Sequence, residues 1–431
     1  MNILLIKPKW FFPGGAYKFS ATSRIAPLNL GIIAALSSTN GNNIKIIDED
    51  VENIPDIISA DLVGMTVATF TAPRAYLIAK RFKEKDAKIV MGGVHPSLMP
   101  KECLKFADAV VIGEAEYVWP KILDDFKSRQ LKEIYNSGQP TNMRDVPFPR
   151  RDLFSKKYVF SAIQATRGCV NGCAFCYLKD VPWGKYRFRK PASICEELRK
   201  IKNKLVIFVD DNLFVNENYV IELMEYIRPL KLLWGVQAPV SIAQNDKLLR
   251  KIADAGCFTV SFGFQSINQD SLDYMSVRQQ ADEYEEVVSK LHQYGIMVQG
   301  MFMLGFDFDT EENLRKMFKV IQEIDLDDAL FYILTPYPGT RLYNELNREN
   351  RIVCHDLSRY SWNNCVFQPK NMSPRELELI LRDGYKEITD FQRKSALRKI
   401  IKNWKWGIKF PRVAFHLLSN ALKGTDNSRL P

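Results

Sequence analysis

Histidine and cysteine are scarce in this sequence, and long hydrophobic runs are missing. The 431 residues include four histidines and eight cysteines. So few cysteines in so long a chain do not form the framework of a disulfide-rich secreted protein, and they fit a reducing compartment such as the cytosol. No run reaches the roughly 18 apolar residues that a membrane-spanning helix needs, so the sequence predicts no such helix.

The N-terminus has the pattern of a strand rather than of a secretion signal. The apolar run over residues 2–7 is too short for the hydrophobic region of a signal peptide. The length and the apolar fraction of 46% are ordinary for a globular protein of two or three domains. We therefore expect a cytoplasmic globular protein.

Three of the eight cysteines stand close together. Cys169, Cys173 and Cys176 have the spacing C-x3-C-x2-C, with Gly168 and Gly172 in the same stretch. Thiolates at such spacing can hold one face of a [4Fe–4S] cube, and the glycines let the loop fold tightly. No fourth cysteine lies in the loop, so one iron would stay open to a cofactor. The spacing therefore predicts a cluster with three protein ligands.

A partial zinc site is the alternative for these cysteines. Zinc sites more commonly pair two C-x2-C half-sites. No second half-site lies nearby, and His292, His355 and His416 are distant in the sequence. The other five cysteines are expected to be small buried core residues; they are Cys103, Cys195, Cys257, Cys354 and Cys365.

Residues 2–127 alternate between short apolar runs and helical periodicity. The predicted strands are Asn2–Lys7, Asn43–Asp48, Leu62–Val67, Lys88–Gly93 and Ala109–Glu114, and the predicted helices are Leu28–Ser37, Ala72–Lys83 and Tyr117–Phe126. Five such units predict an α/β fold with a doubly wound parallel sheet, which binds ligands at the carboxyl ends of its strands.

A second series of βα units occupies residues 158–346. Its predicted strands are Val159–Thr166, Leu205–Asp211, Leu232–Ala238, Phe258–Ser266, Ile296–Phe306 and Ala329–Thr335, with helices between them. Where such βα units form a barrel, the active site lies at the carboxyl ends of the strands. The cysteine loop follows the first predicted strand of this series, at such an end.

Two further segments complete the predicted organisation. Gly138, Pro140, Pro147 and Pro149 break the periodicity of residues 130–157, which we interpret as a linker after a first domain of residues 1–129. Residues 347–431 form a helical extension after the barrel. Ser373 and Pro374 predict the start of a long helix within it.

The cysteine loop resembles the signature of the radical S-adenosylmethionine (radical SAM) enzymes, in which an aromatic residue, here Phe175, precedes the third cysteine. The resemblance implies a partial (β/α)6 barrel that binds SAM at its strand ends. The second strand end matches the family's F-x-D-D-N, whereas the fourth carries Gln265 where the family more often has Glu. The implied SAM contacts are Phe175, Asp210, Asp211, Gln265, Ser266, Gly300, Gly305 and Pro336.

The first half resembles the flavodoxin-like, cobalamin-binding domain that is fused to one large branch of radical SAM enzymes. The implied cobalamin contacts are Thr66, Gly92, Gly93, Val94, His95, Gly113 and Glu114. Asp50 stands where many cobalamin proteins have a cobalt-binding histidine, so we expect cobalamin without a protein histidine on the cobalt, and we interpret His95 as shaping its loop. A purely structural or docking domain is the alternative.

The resemblance implies a 5′-deoxyadenosyl radical that acts on an unactivated carbon, and an electron donor such as flavodoxin or ferredoxin. With cobalamin present, C-methylation of a lipid or isoprenoid is the leading hypothesis. Radical coupling, cyclisation or rearrangement is a second, and an iron–sulfur electron carrier a third, although a carrier needs no SAM motifs. A methylthiotransferase acting on RNA would need further cluster cysteines in the first domain, where only Cys103 is present.

The net charge of +10 is concentrated near the C-terminus. Residues 391–425 contain nine Lys and Arg residues and no Asp or Glu, with aromatic residues such as Trp404 and Trp406 among them. Such a segment is typical of an amphipathic helix on an anionic membrane surface. A helix face packed on the barrel and a nucleic-acid patch are the alternatives. We therefore expect a protein that is peripheral on the inner face of the membrane, with no nucleic-acid partner.

Overall fold

A computed structural model describes residues 1–10, 25–38 and 41–402, and for residues 390–402 it describes the backbone alone. Two six-stranded parallel sheets organise this part of the chain. No helix in the described ranges combines the length and the apolar character that crossing a bilayer requires.

The first sheet is doubly wound, as predicted. Its strands are β1 (Asn2–Lys7), β2 (Asn43–Asp48), β3 (Leu62–Thr66), β4 (Lys88–Gly92), β5 (Ala109–Ile112) and β6 (Ile134–Asn136). Their order is β2-β1-β3-β4-β5-β6, with all pairs parallel. This is the flavodoxin-like order with one further edge strand.

Helices cover both faces of the first sheet. They are α1 (Leu28–Ser37), α2 (Ala72–Lys83), α3 (Val94–Leu98), α4 (Pro100–Cys103) and α5 (Trp119–Lys127). Leu4 and Ile6 pack with α2 in one core, whereas Ile3 and Leu5 pack with α1 and α5 in the other. Alternate side chains of β1 therefore serve two cores, which is why this strand is apolar throughout.

Strand β6 corrects the predicted boundary at residue 130, because the first sheet extends into the segment interpreted as a linker. Its three residues are too few to show a periodicity, and a Ser-Gly turn follows at once. The later part of the segment packs on α1. The Arg150 N–H donates to the Gly31 carbonyl at 3.0 Å, and a Cβ on Gly31 would lie 2.5 Å from the Phe154 ring.

The second sheet is an open, partial barrel of six parallel strands in chain order. They are β7 (Ser161–Ile163), β10 (Leu205–Phe208), β11 (Leu233–Ala238), β12 (Cys257–Gln265), β13 (Met297–Leu304) and β14 (Asp328–Ile333). Two short strands, β8 (Thr166–Arg167) and β9 (Arg187–Phe188), form a separate antiparallel pair.

Helices follow the barrel strands and cover the outside. They are α6 (Pro191–Lys200), α7 (Glu217–Ile227), α8 (Asp246–Asp254), α9 (Gln269–Tyr274), α10 (Tyr284–Gln293) and α11 (Glu311–Glu323). One apolar core joins them to the sheet. The strand predicted over residues 159–166 is divided between β7 and β8. The reason is that Asp210, described below, binds the backbone N–H groups between them.

The C-terminal extension contains α12 (Arg341–Arg348) and α13 (Pro374–Lys402). Ser373 and Glu376 form the predicted reciprocal cap at the start of α13. Tyr385 on α13 covers the β14 edge, where its hydroxyl accepts from the Phe331 N–H and donates to the Phe331 carbonyl. The helix thereby shields an edge that would otherwise expose unpaired backbone groups.

A buried ion-pair network fastens the segment before the barrel to its first helix. Glu197 on α6 has a side chain that is 2% exposed. It accepts from Arg151 at 2.5 Å and from Arg189 at 2.6 Å. Arg151 also donates to the Ala162 carbonyl on β7. Arg151 therefore ties this segment to both a strand and a helix.

Replacing Glu197 by Leu should destabilise the fold, because two arginines would remain buried without a carboxylate. We expect a loss of about 3–5 kcal/mol in unfolding free energy, measured by urea denaturation. The control is Glu196→Gln, which breaks only the exposed pair with Lys200 and should change the value by less than about 0.5 kcal/mol. Equal effects of the two substitutions would contradict this account of the network.

Candidate active site

The cysteine loop is closed at its base by the antiparallel pair of β8 and β9. Gly168 has a φ of +82°, and a Cβ on it would overlap the Gly184 carbonyl oxygen. The Cys169 N–H donates to that carbonyl at 3.1 Å, and the Cys176 N–H donates to the Cys173 carbonyl at 3.1 Å. The loop thus turns back tightly at a position that only glycine fills without strain.

The three thiols are partly exposed and have nearby N–H donors. The Asn171 N–H lies 3.4 Å from the Cys169 sulfur, and the Asn212 side-chain amide lies 3.7 Å from it. Burial raises the pKa of Cys173, and it raises the pKa of Cys176 to about 11. Binding to iron would remove these protons, since the thiolate is the ligand. Donors of this kind would then stabilise the charged sulfur.

Three cysteines in one loop suit a [4Fe–4S] cube, in which each can bind a different iron. In the ranges that the structure describes, no three His, Cys, Asp or Glu side chains converge where one metal ion could be held. The zinc alternative therefore gains no support. A [4Fe–4S] cube is larger, and its thiolates bind separate iron corners, so Cys169, Cys173 and Cys176 need not converge on one point.

Asp210 follows β10 and holds the backbone that leads into the cysteine loop. Its carboxylate is buried, with 4% of the residue exposed. It accepts from the Ala165 N–H at 3.0 Å, from the Thr166 N–H and from the Thr166 hydroxyl at 2.7 Å. Burial raises the pKa of Asp210 to about 7. Asp210 therefore positions the loop, and its contact with the SAM amine remains a prediction.

Asp211 is exposed beside the loop. One of its oxygens, Oδ2, accepts from the Gly168 N–H at 2.8 Å. It therefore both supports the glycine turn and presents a carboxylate at the strand end, where a SAM amine is predicted. Of the paired acidic residues, Asp211 is the more exposed one.

The remaining predicted SAM residues divide into two groups. Gln265 and Ser266 end β12, and buried Pro336 follows β14, all at the carboxyl edge. Gly300 instead serves packing, because a Cβ there would lie 2.8 Å from both Leu326 and Phe302. This corrects the expectation that Gly300 makes room for a ligand.

Gly305 and Phe175 also have clear local surroundings. Gly305 has a φ of +106°, and its N–H donates to the buried carboxylate of Asp309 at 2.7 Å. Burial raises the pKa of Asp309 to about 6. Phe175 is half-buried and packs against the barrel core, which anchors the cysteine loop. The SAM contacts of these two residues remain predictions.

The predicted cobalamin residues lie at the carboxyl ends of three neighbouring strands. Thr66 ends β3, Gly92 ends β4, and Gly113 follows β5. Gly93 has a φ of +106°, and a Cβ on it would lie 2.9 Å from the backbone of Val67. The loops are therefore held close to the sheet edge, which is the ligand-binding edge of such a fold.

His95 lies on α3, directly after Val94, and is completely buried. Its Nε2 is 3.1 Å from the Tyr76 hydroxyl, which also donates to Glu102 at 2.8 Å. The His95 ring, whose Nε2 is 3.7 Å from a Glu102 carboxylate oxygen, is the main cause of a lowered pKa of Glu102. Within the described residues, the His95 Nδ1 has no hydrogen-bond partner. These contacts agree with a residue that shapes its loop.

Asp50 does not replace the histidine that other cobalamin proteins place here. Its carboxylate pairs with Lys7 at 2.5 Å, and Asp48 pairs with the same ammonium at 3.2 Å. Burial alone would lower the pKa of Lys7, but the two carboxylates outweigh it and the pKa is raised. Asp50 is therefore committed to an ion pair at the end of β1.

Glu114 joins the first sheet to the cysteine loop. It accepts from Arg167 at 3.1 Å, from Arg187 at 2.8 Å and from the Thr141 N–H at 2.5 Å. Burial would raise the pKa of Glu114, but the two arginines outweigh it and the pKa is lowered. Arg167 also pairs with Glu116 at 2.6 Å. The Glu114 carboxylate thus serves this interdomain network, and its contact with cobalamin remains a prediction.

Packing contacts also join the carboxyl edges of the two sheets. A Cβ on Gly113, after β5, would lie 3.0 Å from the Trp183 ring, which belongs to the segment between the cysteines and β9. A Cβ on Gly339, after β14, would lie 3.1 Å from Leu98 on α3. The two ligand-binding edges therefore face each other.

Aromatic side chains line a further contact between these edges. The Trp362 ring of the C-terminal extension lies 5.1 Å from Phe70, which follows β3, and 6.3 Å from Trp10, which follows β1. It also lies 6.0 Å from Tyr332 on β14. This contact is rich in apolar surface.

Sequence reasoning missed Arg167, Arg187 and Trp183. Arg167 stands two residues before Cys169, so a charge beside the motif was the available signal. Arg187 and Trp183 gave none, because their partners in the first domain are about 70 residues earlier in the chain.

Comparisons with known proteins agree with this geometry. Family models described as "B12 binding domain" and "Radical SAM superfamily" match residues 16–123 and 163–321. The chain is 29% identical over 402 residues to a bacteriochlorophyllide d C-12(1)-methyltransferase of Chlorobaculum tepidum, covering 89% of this chain and 87% of that protein. It is 24% identical to a hopanoid C-2 methylase of Rhodopseudomonas palustris, covering 84% and 72%.

Solved structures also share this fold. The radical SAM methyltransferase TsrM from Kitasatospora setae, with cobalamin and a [4Fe–4S] cluster bound, superposes with a TM-score of 0.68. The match covers 90% of this chain and 88% of that one at 16% identity. At that identity the likeness supports the fold.

The substitution Asp210→Asn should lower the iron content of the reconstituted protein. An amide has one acceptor oxygen, and its NH2 group would face backbone donors that Asp210 now satisfies. We expect less iron per chain after anaerobic reconstitution, measured by iron and sulfide analysis. Asp254→Asn, at an exposed position on α8, is the control and should leave the iron content unchanged. Full iron in the Asp210 variant would contradict the positioning role.

Proposed function

The chain belongs to the radical SAM enzymes that carry a B12-binding domain, and we propose that it methylates an unactivated carbon of a hydrophobic substrate. The observation that carries the proposal is that the cysteine loop and the B12-type loops face each other. A radical formed on one side and a methyl donor on the other would then reach one substrate between them.

The residues have separable roles in this proposal. When bound, the cluster with SAM supplies a 5′-deoxyadenosyl radical, and cobalamin supplies the methyl group. Cys169, Cys173 and Cys176 hold the cluster. Asp211 offers a carboxylate to the SAM amine, to which it would bind by a charge-assisted hydrogen bond.

The first domain would hold the corrin at the carboxyl ends of β3, β4 and β5. Gly92, Gly93 and Gly113 have no side chains and keep these loops close to the edge of the sheet. A large flat ligand can therefore approach the backbone. Asp50 is paired with Lys7, and His95 is buried. We therefore propose that neither side chain binds the cobalt.

A lipid or isoprenoid is the substrate class that we propose. The aromatic side chains of Trp10, Phe70 and Trp362 between the two edges support an apolar substrate. The relatives include a methylase named for a hopanoid and a methyltransferase named for a bacteriochlorophyllide. We also propose a small electron-transfer protein, such as flavodoxin or ferredoxin, as the reductant.

Transfer of the SAM methyl group is the expected result of a labelling experiment. The reconstituted protein, with hydroxocobalamin, a strong reductant and SAM carrying a deuterated methyl group, is incubated with membrane lipid extracts under anaerobic conditions. Mass spectrometry should find a lipid that gains the labelled methyl group, with formation of 5′-deoxyadenosine.

The control for that experiment replaces Cys169, Cys173 and Cys176 together by Ala, which should abolish both products. A labelled product from this variant would contradict the cluster assignment. A coupled, cyclised or rearranged product without label would replace methyl transfer by the second hypothesis, in which the first domain only shapes the cavity.

We further propose that the basic segment of residues 391–423 binds an anionic membrane surface, although its side chains lie outside the described residues. Nine Lys and Arg residues alternate with aromatic and aliphatic ones, and each charge contributes about 1 kcal/mol near such a surface. Through this segment the protein would be peripheral on the inner face of the membrane and close to a lipid substrate.

Removal of this segment should weaken binding to anionic vesicles. We expect the full chain to co-sediment with phosphatidylserine vesicles and a protein ending at Asp390 to stay in the supernatant. The difference should shrink at high salt, because the attraction is electrostatic. Equal sedimentation of the two proteins would contradict the proposal, and preferential retention on RNA would replace it.

A further inference from the structure

The end of strand β12 contains a strained turn centred on Gln265. Gln265 has a φ of +64°, which is uncommon for a residue other than glycine. The Ser266 N–H donates to the Phe264 carbonyl at 2.8 Å across it. A hydrogen bond from residue i+2 to residue i around a positive φ has the form of a rare and strained γ-turn. Such backbone persists only where the surroundings hold it.

Two buried side chains hold this turn from behind. The Gln279 amide donates to the Phe264 carbonyl at 2.6 Å and to the Gly263 carbonyl at 3.2 Å. The Tyr284 hydroxyl lies 2.7 Å from the Phe264 carbonyl and 3.0 Å from the Ser266 carbonyl, and it accepts from Gln279 at 2.9 Å. Tyr284 is completely buried and Gln279 is 9% exposed, so solvent cannot easily replace these bonds.

Gly263 fixes the side chain of Gln265 as well as its backbone. A Cβ on Gly263 would overlap the Gln265 amide nitrogen. The amide therefore lies over the glycine, two residues earlier on the same side of the strand. The pairing of β12 with β13 also shifts register between Gly263 and Gln265, which turns this end of the strand away from the regular ladder.

We propose that Gly263, Gln279 and Tyr284 are positioning residues that hold the Gln265 amide in the orientation in which it binds SAM. A neutral amide attracts a charged ligand less than a carboxylate does, so its hydrogen bonds must be well directed to contribute. Fixing the amide before binding removes the entropy cost of ordering it. The inference rests on SAM as the ligand in the proposed function, and it does not depend on methyl transfer.

The test measures SAM binding to the full chain with its cluster reconstituted. Equilibrium dialysis with radiolabelled SAM gives the dissociation constant, and 5′-deoxyadenosine formation without added substrate gives the rate at saturating SAM. We expect Tyr284→Phe and Gly263→Ala each to raise the dissociation constant about tenfold, as Gln265→Ala should. In each variant the rate at saturating SAM should fall by a smaller factor than the SAM affinity does.

Two features separate positioning from a general loss of structure. Tyr294→Phe is the matched control, because this tyrosine directly follows the same helix α10 and its hydroxyl donates to the exposed Asp246; its SAM affinity should not change. In Gly263→Ala the new methyl meets only the flexible end of Gln265. Iron content and thermal unfolding of this variant should therefore match the wild type, even where Tyr284→Phe folds poorly.

Wild-type SAM affinity in the Gly263 variant would overturn the proposal, and so would wild-type affinity in Gln265→Ala. Loss of iron together with SAM binding in the Gly263 variant would overturn it too, because that pattern indicates a structural role. Failure of the proposed methyl transfer would look different. The variants would still bind SAM more weakly than the wild type, but no methylated product would form.

Discussion

The ion pairs of Glu114 with Arg167 and Arg187 are the interaction on which the arrangement of the site depends. All three side chains are largely buried, with 11%, 13% and 16% exposure. Charges in such a place must stay paired, because separating them would leave a buried charge without compensation. The cysteine loop is therefore held against the β5 edge, and the two ligand-binding edges share one space.

Polar groups at the barrel's strand ends mostly serve the backbone of the loops. Asp210 binds the segment before the cysteines, Asp211 binds Gly168, and Tyr284 holds the turn at Gln265. Loops carry function only when a rigid scaffold positions them. A few side chains therefore order the loops, and other groups at the strand ends remain available for ligands.

The helices and strands with strong periodicity were predictable from sequence. The position of the site was predictable too, but the contacts of its individual residues were not. Strand β1 and helices α1 and α2 have the predicted bounds, because their apolar patterns are long and end at clear breaks. The three-residue β6 has no pattern to detect. The role of Glu114 depends on Arg187, 73 residues later, and a sequence pattern does not report such a pairing. Nor does a sequence pattern report the burial and packing that determine what Asp210 and Gly300 contact.

In the proposed function the cluster and cobalamin occupy one space between the two sheets. Electron paramagnetic resonance of the protein loaded with both the reduced cluster and cob(II)alamin tests it most directly. Two unpaired spins in a shared cavity should split or broaden each other's signals, and the splitting should disappear when either cofactor is omitted. A doubly loaded spectrum equal to the sum of the two singly loaded spectra would contradict the claim.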